Sequence, residues 1–236
     1  MLTLALDTAV EPASVVLAED DQALSAWRQT THRDLCRRLA SEVASVLERA
    51  EREFREVNLV AVGLGPGSFT GLRVGLATAK ALALARDLPL VGISSLAAMA
   101  WQMRDTLGGL LCPMLDARRG ELYAALYRTT GEGVEVVEPE FVATAPAVAE
   151  RLRAREQEVT LFGQTDRVPA TEIARSIGDR GRLWCDEVVL PDALAVGQLA
   201  RRRFAARGGD DIASLRPIYV RMSYAEERHD IDLGLR

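Results

Sequence analysis

The fold is decided by the stretch Gly65–Gly75, which reads GPGSFTGLRVG. A short apolar run, VNLVAVGL, precedes it and ends at the Gly-Pro-Gly turn, as expected for a strand buried on both faces. An alanine-rich run without proline follows, from Phe69 to Arg86, and favours a helix. Ser68 is the predicted N-cap of that helix, because its hydroxyl can accept a hydrogen bond from an early helical N–H. The stretch is therefore predicted to join a core strand to a core helix.

The predicted helix is apolar almost all round, so it should be buried almost all round. Small residues recur on it every four positions, at Gly71, Gly75, Ala79 and Ala83, and another backbone can approach closely along them. The helix's own sheet covers one side. The other side is predicted to face a second domain or another protein chain, and complete burial within this chain is the alternative.

Two catalytic motifs that this loop could suggest are absent. A phosphate-binding P-loop needs Lys and then Ser or Thr after its second glycine, but Gly71 is followed by Leu72 and Arg73. A nucleophile elbow needs glycines two positions before and after the serine, and Pro66 and Thr70 occupy those places around Ser68. An anion held by backbone N–H groups at the helix start remains open.

Composition limits the class of protein. The chain has 236 residues, of which 48% are hydrophobic, enough for one large domain or two small ones. Its formal net charge of −5 argues against general electrostatic binding of nucleic acid. The arginine cluster Arg28, Arg33, Arg37 and Arg38 is most simply a solvated helix end, and contact with RNA or an acidic partner is the alternative. Three widely spaced cysteines, no basic leader and no long apolar run predict a cytoplasmic protein without a membrane segment.

The order of predicted elements indicates a repeated α/β architecture. The first hundred residues read β-β-β-α-β-α-β-α, the order of a ribonuclease-H-like unit. A shortened copy, β-β-β-α-β with a final helix near 193–206, is predicted to follow from Leu110. We therefore expect an α/β protein of two ribonuclease-H-like (actin-like) lobes. Residues 1–107 form the first lobe, and residues 108–236 form a second, reduced lobe. The C-terminal tail could pack back on the first lobe. Residues 163–190 give no clear pattern.

Two aspartates are candidates for nucleotide chemistry. Asp7 ends the first strand, where an actin-like ATPase or sugar kinase places the carboxylate that handles hydrated Mg²⁺; the alternative is an aspartate that bonds its own turn. Asp116 opens the second unit at a comparable place. The glycine-rich phosphate hairpin expected after it is replaced by Ala-Arg-Arg-Gly, which argues against independent ATP hydrolysis. A vestigial nucleotide or anion site would combine these two residues with Thr8, Gly65 and Gly67.

Histidine is scarce, which limits the possible metal sites. His32 and Cys36 have the spacing of a ligand pair, but two ligands leave a zinc or iron site incomplete. His229 lies in the polar tail and is predicted to be solvated. We expect no metal bound by this chain.

Four segments carry a resemblance to a known family. The stretch Gly65–Gly75 closely resembles the signature of the TsaB (YeaZ) family of bacterial tRNA threonylcarbamoyladenosine biosynthesis proteins. Leu4–Thr8, Asp116–Tyr123, and Pro217–Arg221 with Ala225 and Glu226 fit the same family in order. The resemblance is strong over residues 1 to about 127 and sparse from there to the tail.

The resemblance implies an actin-like subunit that is not itself the catalyst. Such proteins pair through first-lobe helices with a TsaD-like subunit, which transfers threonylcarbamoyl to N6 of adenosine 37 in tRNAs that read ANN codons. A TsaE-like ATPase joins the complex, so ATP and metal are expected on partner subunits. The chain is expected to reach tRNA only through the complex. In the absence of its partners, it could pair with itself. TsaD-like relatives bind metal through a His-x-x-x-His pair, whose second place is Cys36 here, which agrees with a lost site.

The predicted partner interface comes from this resemblance together with the small-residue helix. It comprises residues on both long helices of the first lobe: Leu35, Leu39, Ser68, Phe69, Gly71, Leu72, Gly75, Leu76 and Ala79. On this basis Gly75→Arg would abolish pairing and leave the monomer folded. The rival hypotheses are an actin-like ATPase or phosphotransferase that uses Asp7, a peptidase, and a self-pairing scaffold.

Overall fold

The computed structural model describes residues 1–29 and 34–221, and the contacts divide them into two compact units. The first unit comprises Met1–Ala98 and Pro191–Tyr219; the second comprises Met99–Leu190 with Val220 and Arg221. The division falls inside helix α3 (Ser95–Leu107). The sequence-based proposals for His32, Arg33, Ala225, Glu226 and His229 concern residues outside the described ranges.

The first unit is built on a five-stranded sheet in the order β3-β2-β1-β4-β5. Its strands are β1 (Leu2–Asp7), β2 (Ala13–Glu19), β3 (Gln22–Gln29), β4 (Leu59–Gly63) and β5 (Leu90–Ile93). Strands β1, β2 and β3 pair antiparallel, whereas β4 pairs parallel to both β1 and β5. Both β1 and β4 are buried along their whole length, because they are mainly apolar and occupy the centre of the sheet.

Helices cover both faces of this sheet. Helices α1 (Leu35–Arg49) and α2 (Phe69–Ala85) share a core with Leu4 and Leu6 of β1. The opposite face of β1 carries smaller side chains and meets α6 (Ala193–Arg207), where a Cβ built on Gly197 would lie 3.2 Å from the Ala5 Cβ. Alternation along β1 thus separates a bulky face from a small one.

The final helix packs in a different place from the one expected. We expect from the sequence that the helix near 193–206 completes the second unit, but α6 lies on the first sheet, against β1, β2, β4 and β5. Its buried residues are small, mainly alanine and glycine, and match the small face of β1. Residues 208–219, which follow α6, belong to the same unit: Asp210 N donates to Leu90 O at 2.8 Å, and Ile218 N donates to Leu64 O at 2.8 Å.

The second unit repeats the topology of the first. Its elements after α3 are β6 (Leu110–Arg118), β7 (Glu121–Thr130), β8 (Gly133–Thr144), α4 (Ala145–Arg153), β9 (Val159–Gly163), α5 (Ala170–Ile177) and β10 (Gly181–Leu183). The sheet order is β10-β9-β6-β7-β8, with β6, β7 and β8 antiparallel and β9 parallel to β6 and β10. This is the strand order and sense of the first sheet, so the predicted pair of ribonuclease-H-like units is confirmed. Helix α5 and strand β10 occupy the segment that the sequence left unassigned.

Ser68 caps α2 as predicted, since its Oγ accepts a hydrogen bond from Gly71 N at 3.2 Å. We expect Ser68→Ala to lower the free energy of unfolding by about 1 kcal/mol, because an early helical N–H would lose its acceptor. Urea denaturation measures the change. Thr70→Ala, at an exposed position of the same first turn, is the control and should leave stability within about 0.5 kcal/mol. Equal stability of the two variants would contradict the capping role.

Candidate functional site

Asp7 lies at the end of β1 with its carboxylate enclosed by the protein. The residue is 2% exposed. Its Oδ2 accepts a hydrogen bond from Ser95 Oγ at 2.7 Å, and its Oδ1 accepts one from Ala9 N at 2.9 Å. A Cβ built on Gly63 would lie 2.0 Å from Oδ2, so only glycine leaves room for the carboxylate there. Both carboxylate oxygens are therefore occupied by donors from the chain itself.

Ser95 connects this carboxylate to the loop that starts α2. Its Oγ accepts a hydrogen bond from Gly65 N at 3.2 Å, and its N donates to Gly65 O at 2.8 Å. The other side of the loop is held by Ala9, whose carbonyl accepts from Ser68 N at 2.7 Å. A Cβ on Gly67 would meet that carbonyl oxygen at 2.2 Å. The Asp7–Ser95 pair thus fixes the loop from which α2 begins.

Burial raises the pKa of Asp7 to about 6. The hydrogen bonds from the Ser95 side chain and the Ala9 backbone act in the opposite direction, and the negative charge of Asp192 adds to the rise. A carboxylate that handles hydrated Mg²⁺ needs open coordination positions, whereas both Asp7 oxygens accept hydrogen bonds from the chain. Asp7 has the environment of a structural carboxyl group.

Four of the five residues predicted for a nucleotide or anion site come together: Asp7, Thr8, Gly65 and Gly67 lie in the first unit. Thr8 Oγ1 donates to Gly71 O at 2.8 Å, inside the contact between β1 and α2. Asp116 belongs to the second unit, where its Oδ1 accepts from Arg118 N at 2.7 Å and closes its own turn. Nucleotide binding by these residues stays a prediction.

Most of the residues predicted for the partner interface are buried within the first unit. This group comprises Leu35, Leu39, Gly71, Leu72, Gly75, Leu76 and Ala79. A Cβ on Gly75 would lie 2.1 Å from Thr8 Oγ1, so the small-residue stripe serves the contact between α2 and the protein's own β1. These seven residues are buried in the chain by itself, and their assignment to the partner interface stays a prediction. Ser68 is half-buried, and Phe69 is 40% exposed.

The exposed side of α2 lies opposite the small-residue stripe. We define the α2 outer face as Phe69, Arg73, Ala77, Ala81 and Leu84, all of them exposed. Leu84 is 67% exposed, more than any other exposed large apolar side chain in the described residues. An exposed apolar helix face of this kind is typical of an interaction surface.

Three side chains form an ordered cluster at the start of the α2 outer face. The Arg73 guanidinium lies 3.8 Å from the centroid of the Phe69 ring, and its Nε donates to Tyr219 Oη at 3.1 Å. The Phe69 and Tyr219 rings are 5.5 Å apart. Sequence reasoning identified Phe69 but missed Tyr219, because nothing in the local pattern of residues 208–221 brings that side chain to α2.

The three cysteines differ in their exposure. Cys36 and Cys185 are exposed, whereas burial raises the pKa of the Cys112 thiol to about 12. Residues 1–29 and 34–221 contain no group of three or more His, Cys, Asp or Glu side chains arranged to hold a metal ion. None of the helices within these ranges is long and apolar enough to cross a membrane.

Comparison with known proteins identifies the family. The TsaD family, described as tRNA N6-adenosine threonylcarbamoyltransferase, matches residues 29–172. The tRNA threonylcarbamoyladenosine biosynthesis protein TsaB of Escherichia coli (strain K12) is 32% identical over 95% of this chain and 96% of its own length. This chain belongs to the TsaB family. TsaB of Bacillus subtilis (strain 168) is 28% identical over 97% of both chains.

Solved structures agree with the TsaB assignment. A crystal structure from Pseudomonas aeruginosa, described as an uncharacterized protein with similarity to peptidase YEAZ, is 27% identical and covers 93% of this chain and 99% of its own. Its TM-score is 0.77. The ROK hexokinase of Thermus thermophilus, 12% identical with a TM-score of 0.50, covers 87% of this chain and 100% of its own, and shows the fold alone. The predicted actin-like architecture of this TsaB-family chain is confirmed.

Proposed function

We propose that this chain is a non-catalytic subunit of the complex that installs threonylcarbamoyl on N6 of adenosine 37 in tRNAs reading ANN codons. The observation that carries the proposal is the similarity, over almost the whole length of both chains, to proteins named for tRNA threonylcarbamoyladenosine biosynthesis. The same names, together with the match to the TsaD family, support a TsaD-like subunit as the partner. The same complex would contain a TsaE-like ATPase and would bring tRNA to the chain.

The environment of Asp7 supports the non-catalytic part of the proposal. Both of its carboxylate oxygens accept hydrogen bonds from Ser95 and Ala9, and the residue is buried. Chemistry on phosphates would need that carboxylate open to a hydrated cation. We therefore place the ATP and metal of the pathway on the partner subunits.

The α2 outer face is the surface that we propose for pairing. It combines two exposed apolar side chains, Phe69 and Leu84, with a cationic side chain, Arg73. The loop before this helix is held by the hydrogen bonds of Ser95 to Asp7 and Gly65. Aromatic and arginine side chains are the residue types that most often dominate binding energy at interfaces. The rigid attachment of α2 to β1 also lowers the cost of ordering this surface on binding.

Reconstitution tests the proposal. The chain is mixed with the TsaD-like subunit from the same cell, and the mass of the mixture is measured by light scattering behind gel filtration. We expect a one-to-one complex that modifies tRNA once the TsaE-like ATPase, ATP and synthesis of threonylcarbamoyl-adenylate are supplied. A chain that stays alone or pairs only with itself would refute the pairing. Steady ATP turnover by the pure chain, lost in Asp7→Ala, would favour the ATPase alternative.

Phe69→Ala is expected to weaken binding to the TsaD-like subunit at least tenfold, because an aromatic anchor with 40% of its surface exposed would be removed from the α2 outer face. Titration calorimetry measures the change. Leu24→Ala is a matched control, since Leu24 is also 40% exposed but lies on β3 of the same unit. Similar affinities for the two variants would show that the partner binds elsewhere.

A further inference from the structure

The hairpin between β6 and β7 carries two arginines at its tip, which we define as residues 116–121. Strand β6 ends at Arg118, which pairs with Glu121, so Arg119 and Gly120 form a two-residue loop. Both loop residues have positive φ angles, 57° and 77°, as a type I′ turn requires. Arg118 also has a positive φ, 65°, at a point where the strand register shifts. Two successive arginines therefore adopt the left-handed conformation.

The backbone of this tip does not call for arginine. In the left-handed conformation the Cβ of an L-residue crowds a neighbouring carbonyl oxygen, so Gly, Asn and Asp are the residues that such turns prefer. Both arginine side chains are exposed, that of Arg118 to 80%. Arg118 Nε lies 4.0 Å from Asp116 Oδ2, and a solvent-screened pair of this kind contributes little to stability. A costly backbone conformation that presents two cationic side chains indicates a binding role.

The tip is held by other side chains of the second unit. Gln164 Oε1 accepts a hydrogen bond from Asp116 N at 2.9 Å. Arg221 Nη1 donates to Ala117 O at 3.1 Å, and the same guanidinium forms an ion pair with Glu121. The backbone that carries the two arginines is thus ordered before a ligand binds, which lowers the entropy cost of binding. The Glu121 carboxylate is also engaged by Arg221 and competes less for the arginines of the tip.

We propose that the β6–β7 tip binds phosphate groups of an RNA backbone through Arg118 and Arg119. The inference rests on the proposed function, in which the RNA is the tRNA substrate of the complex. Guanidinium groups bind phosphate oxygens through charge-assisted hydrogen bonds. Residues 116–121 present no exposed apolar side chain, whereas a protein contact is usually built around an apolar centre. With a formal net charge of −5, the chain would contact RNA through a local site of this kind.

Replacement of both arginines by asparagine tests the inference, because it removes the charge and suits the turn. Arg118→Asn/Arg119→Asn should have a urea midpoint equal to or above that of the wild type. The probe is an unmodified transcript of a tRNA that reads an ANN codon, bound by the complex of this chain with the TsaD-like subunit. Fluorescence anisotropy at several salt concentrations measures the affinity. We expect it to fall about tenfold at low salt, and the slope of log K against log salt to decrease by about 1.

Two further variants separate the phosphate contact from a general effect of charge. Arg167→Gln/Arg175→Gln is the matched control, since both arginines are exposed in the same unit and the net charge changes equally. It should change the affinity for tRNA less than twofold. Arg118→Lys/Arg119→Lys keeps the charge, and lysine also binds phosphate, so this variant should recover most of the affinity and of the salt dependence.

The outcomes distinguish this inference from the proposed function. If the wild-type chain does not pair with the TsaD-like subunit, the proposed function fails and the inference fails with it. If pairing is intact, and the asparagine and control variants bind tRNA equally well, the function stands and the phosphate contact is refuted. Weaker pairing of the asparagine variant without tRNA would assign the tip to a protein contact. A loss of ATP binding with unchanged tRNA affinity would assign it to a nucleotide, and either result would overturn the inference.

Discussion

Gly75→Ala is expected to lower the free energy of unfolding by about 2 kcal/mol, although alanine is the better helix former. The added Cβ would lie 2.1 Å from Thr8 Oγ1 and 3.2 Å from Thr8 Cβ, so α2 would have to move away from β1. Overpacking of this kind costs about 1–3 kcal/mol, and loss of the Thr8–Gly71 hydrogen bond costs about 1 kcal/mol more. The gain in helix propensity, about 1 kcal/mol, offsets part of that cost.

Urea denaturation with two matched changes tests the expectation. Ala77 lies two residues further along α2 and is exposed, so Ala77→Arg should leave the chain folded, whereas Gly75→Arg should not give a folded protein. Thr8→Ala removes the atom nearest to the new Cβ. In combination with Gly75→Ala it should recover part of the loss, as a coupling of about 1 kcal/mol in a double-mutant cycle. Unchanged stability of Gly75→Ala would mean that α2 does not pack on Thr8 in this way.

The structure changes how pairing should be probed. From the sequence alone Gly75→Arg is a variant that blocks a partner, because a stripe of small residues fits the backbone of another helix. In this fold the stripe contacts β1, so loss of pairing in Gly75→Arg would report unfolding. Exposed residues, above all Phe69 and Arg73, separate binding from stability.

Local chemistry explains what could be predicted from the sequence. The strand before Gly65, the cap at Ser68 and the length of α2 follow from apolar runs, turn residues and helix propensity, which act over a few positions. The direction in which α2 presents its small residues depends on Thr8, which is distant in sequence. The position of helix α6 could not be predicted for the same reason. A helix whose buried residues are small fits either sheet, and its own residues do not specify which one.

The position of Asp7 could be predicted, but its role could not. An aspartate at the end of a first strand is common to nucleotide sites and to structural turns. The deciding features are Gly63, which makes room for the carboxylate, and Ser95, which donates to it. Both belong to elements that reach Asp7 only in the folded sheet, so local patterns in the sequence cannot reveal them.

Asp7→Asn is expected to stabilise the protein by about 2 kcal/mol at pH 7 and to give no stabilisation at pH 4. The folded-state pKa of Asp7 is about 6, above its ordinary value of 3.8, so the folded protein binds this proton more tightly than the unfolded chain does. Stability from this group is present below pH 4 and is lost as the pH rises to 6. Two pKa units correspond to about 3 kcal/mol at pH 7. An uncharged side chain of the same shape avoids that cost.

The predicted gain is smaller than 3 kcal/mol because asparagine changes one hydrogen bond. Its Oδ1 can still accept from Ala9 N, but its Nδ2 donates to Ser95 Oγ, so the Ser95 hydroxyl loses its acceptor at a cost of about 1 kcal/mol. At pH 4, where Asp7 is largely protonated, this cost remains and the variant should be slightly less stable than the wild type. The sign of the stability difference therefore reverses with pH.

Urea denaturation of both proteins from pH 4 to pH 8 measures the reversal. Asp105→Asn is the control, since the Asp105 side chain is 80% exposed and should leave the pH dependence unchanged. A loss of stability in Asp7→Asn at pH 7 would mean that the ionised carboxylate is the favoured form, as in a site prepared to bind a cation. A gain at pH 7 that disappears toward pH 4 would show instead that the fold itself favours the neutral group. In that case the cost of the ionised carboxylate at neutral pH accompanies the hydrogen bonds that fix the loop at Gly65, from which α2 and its outer face begin.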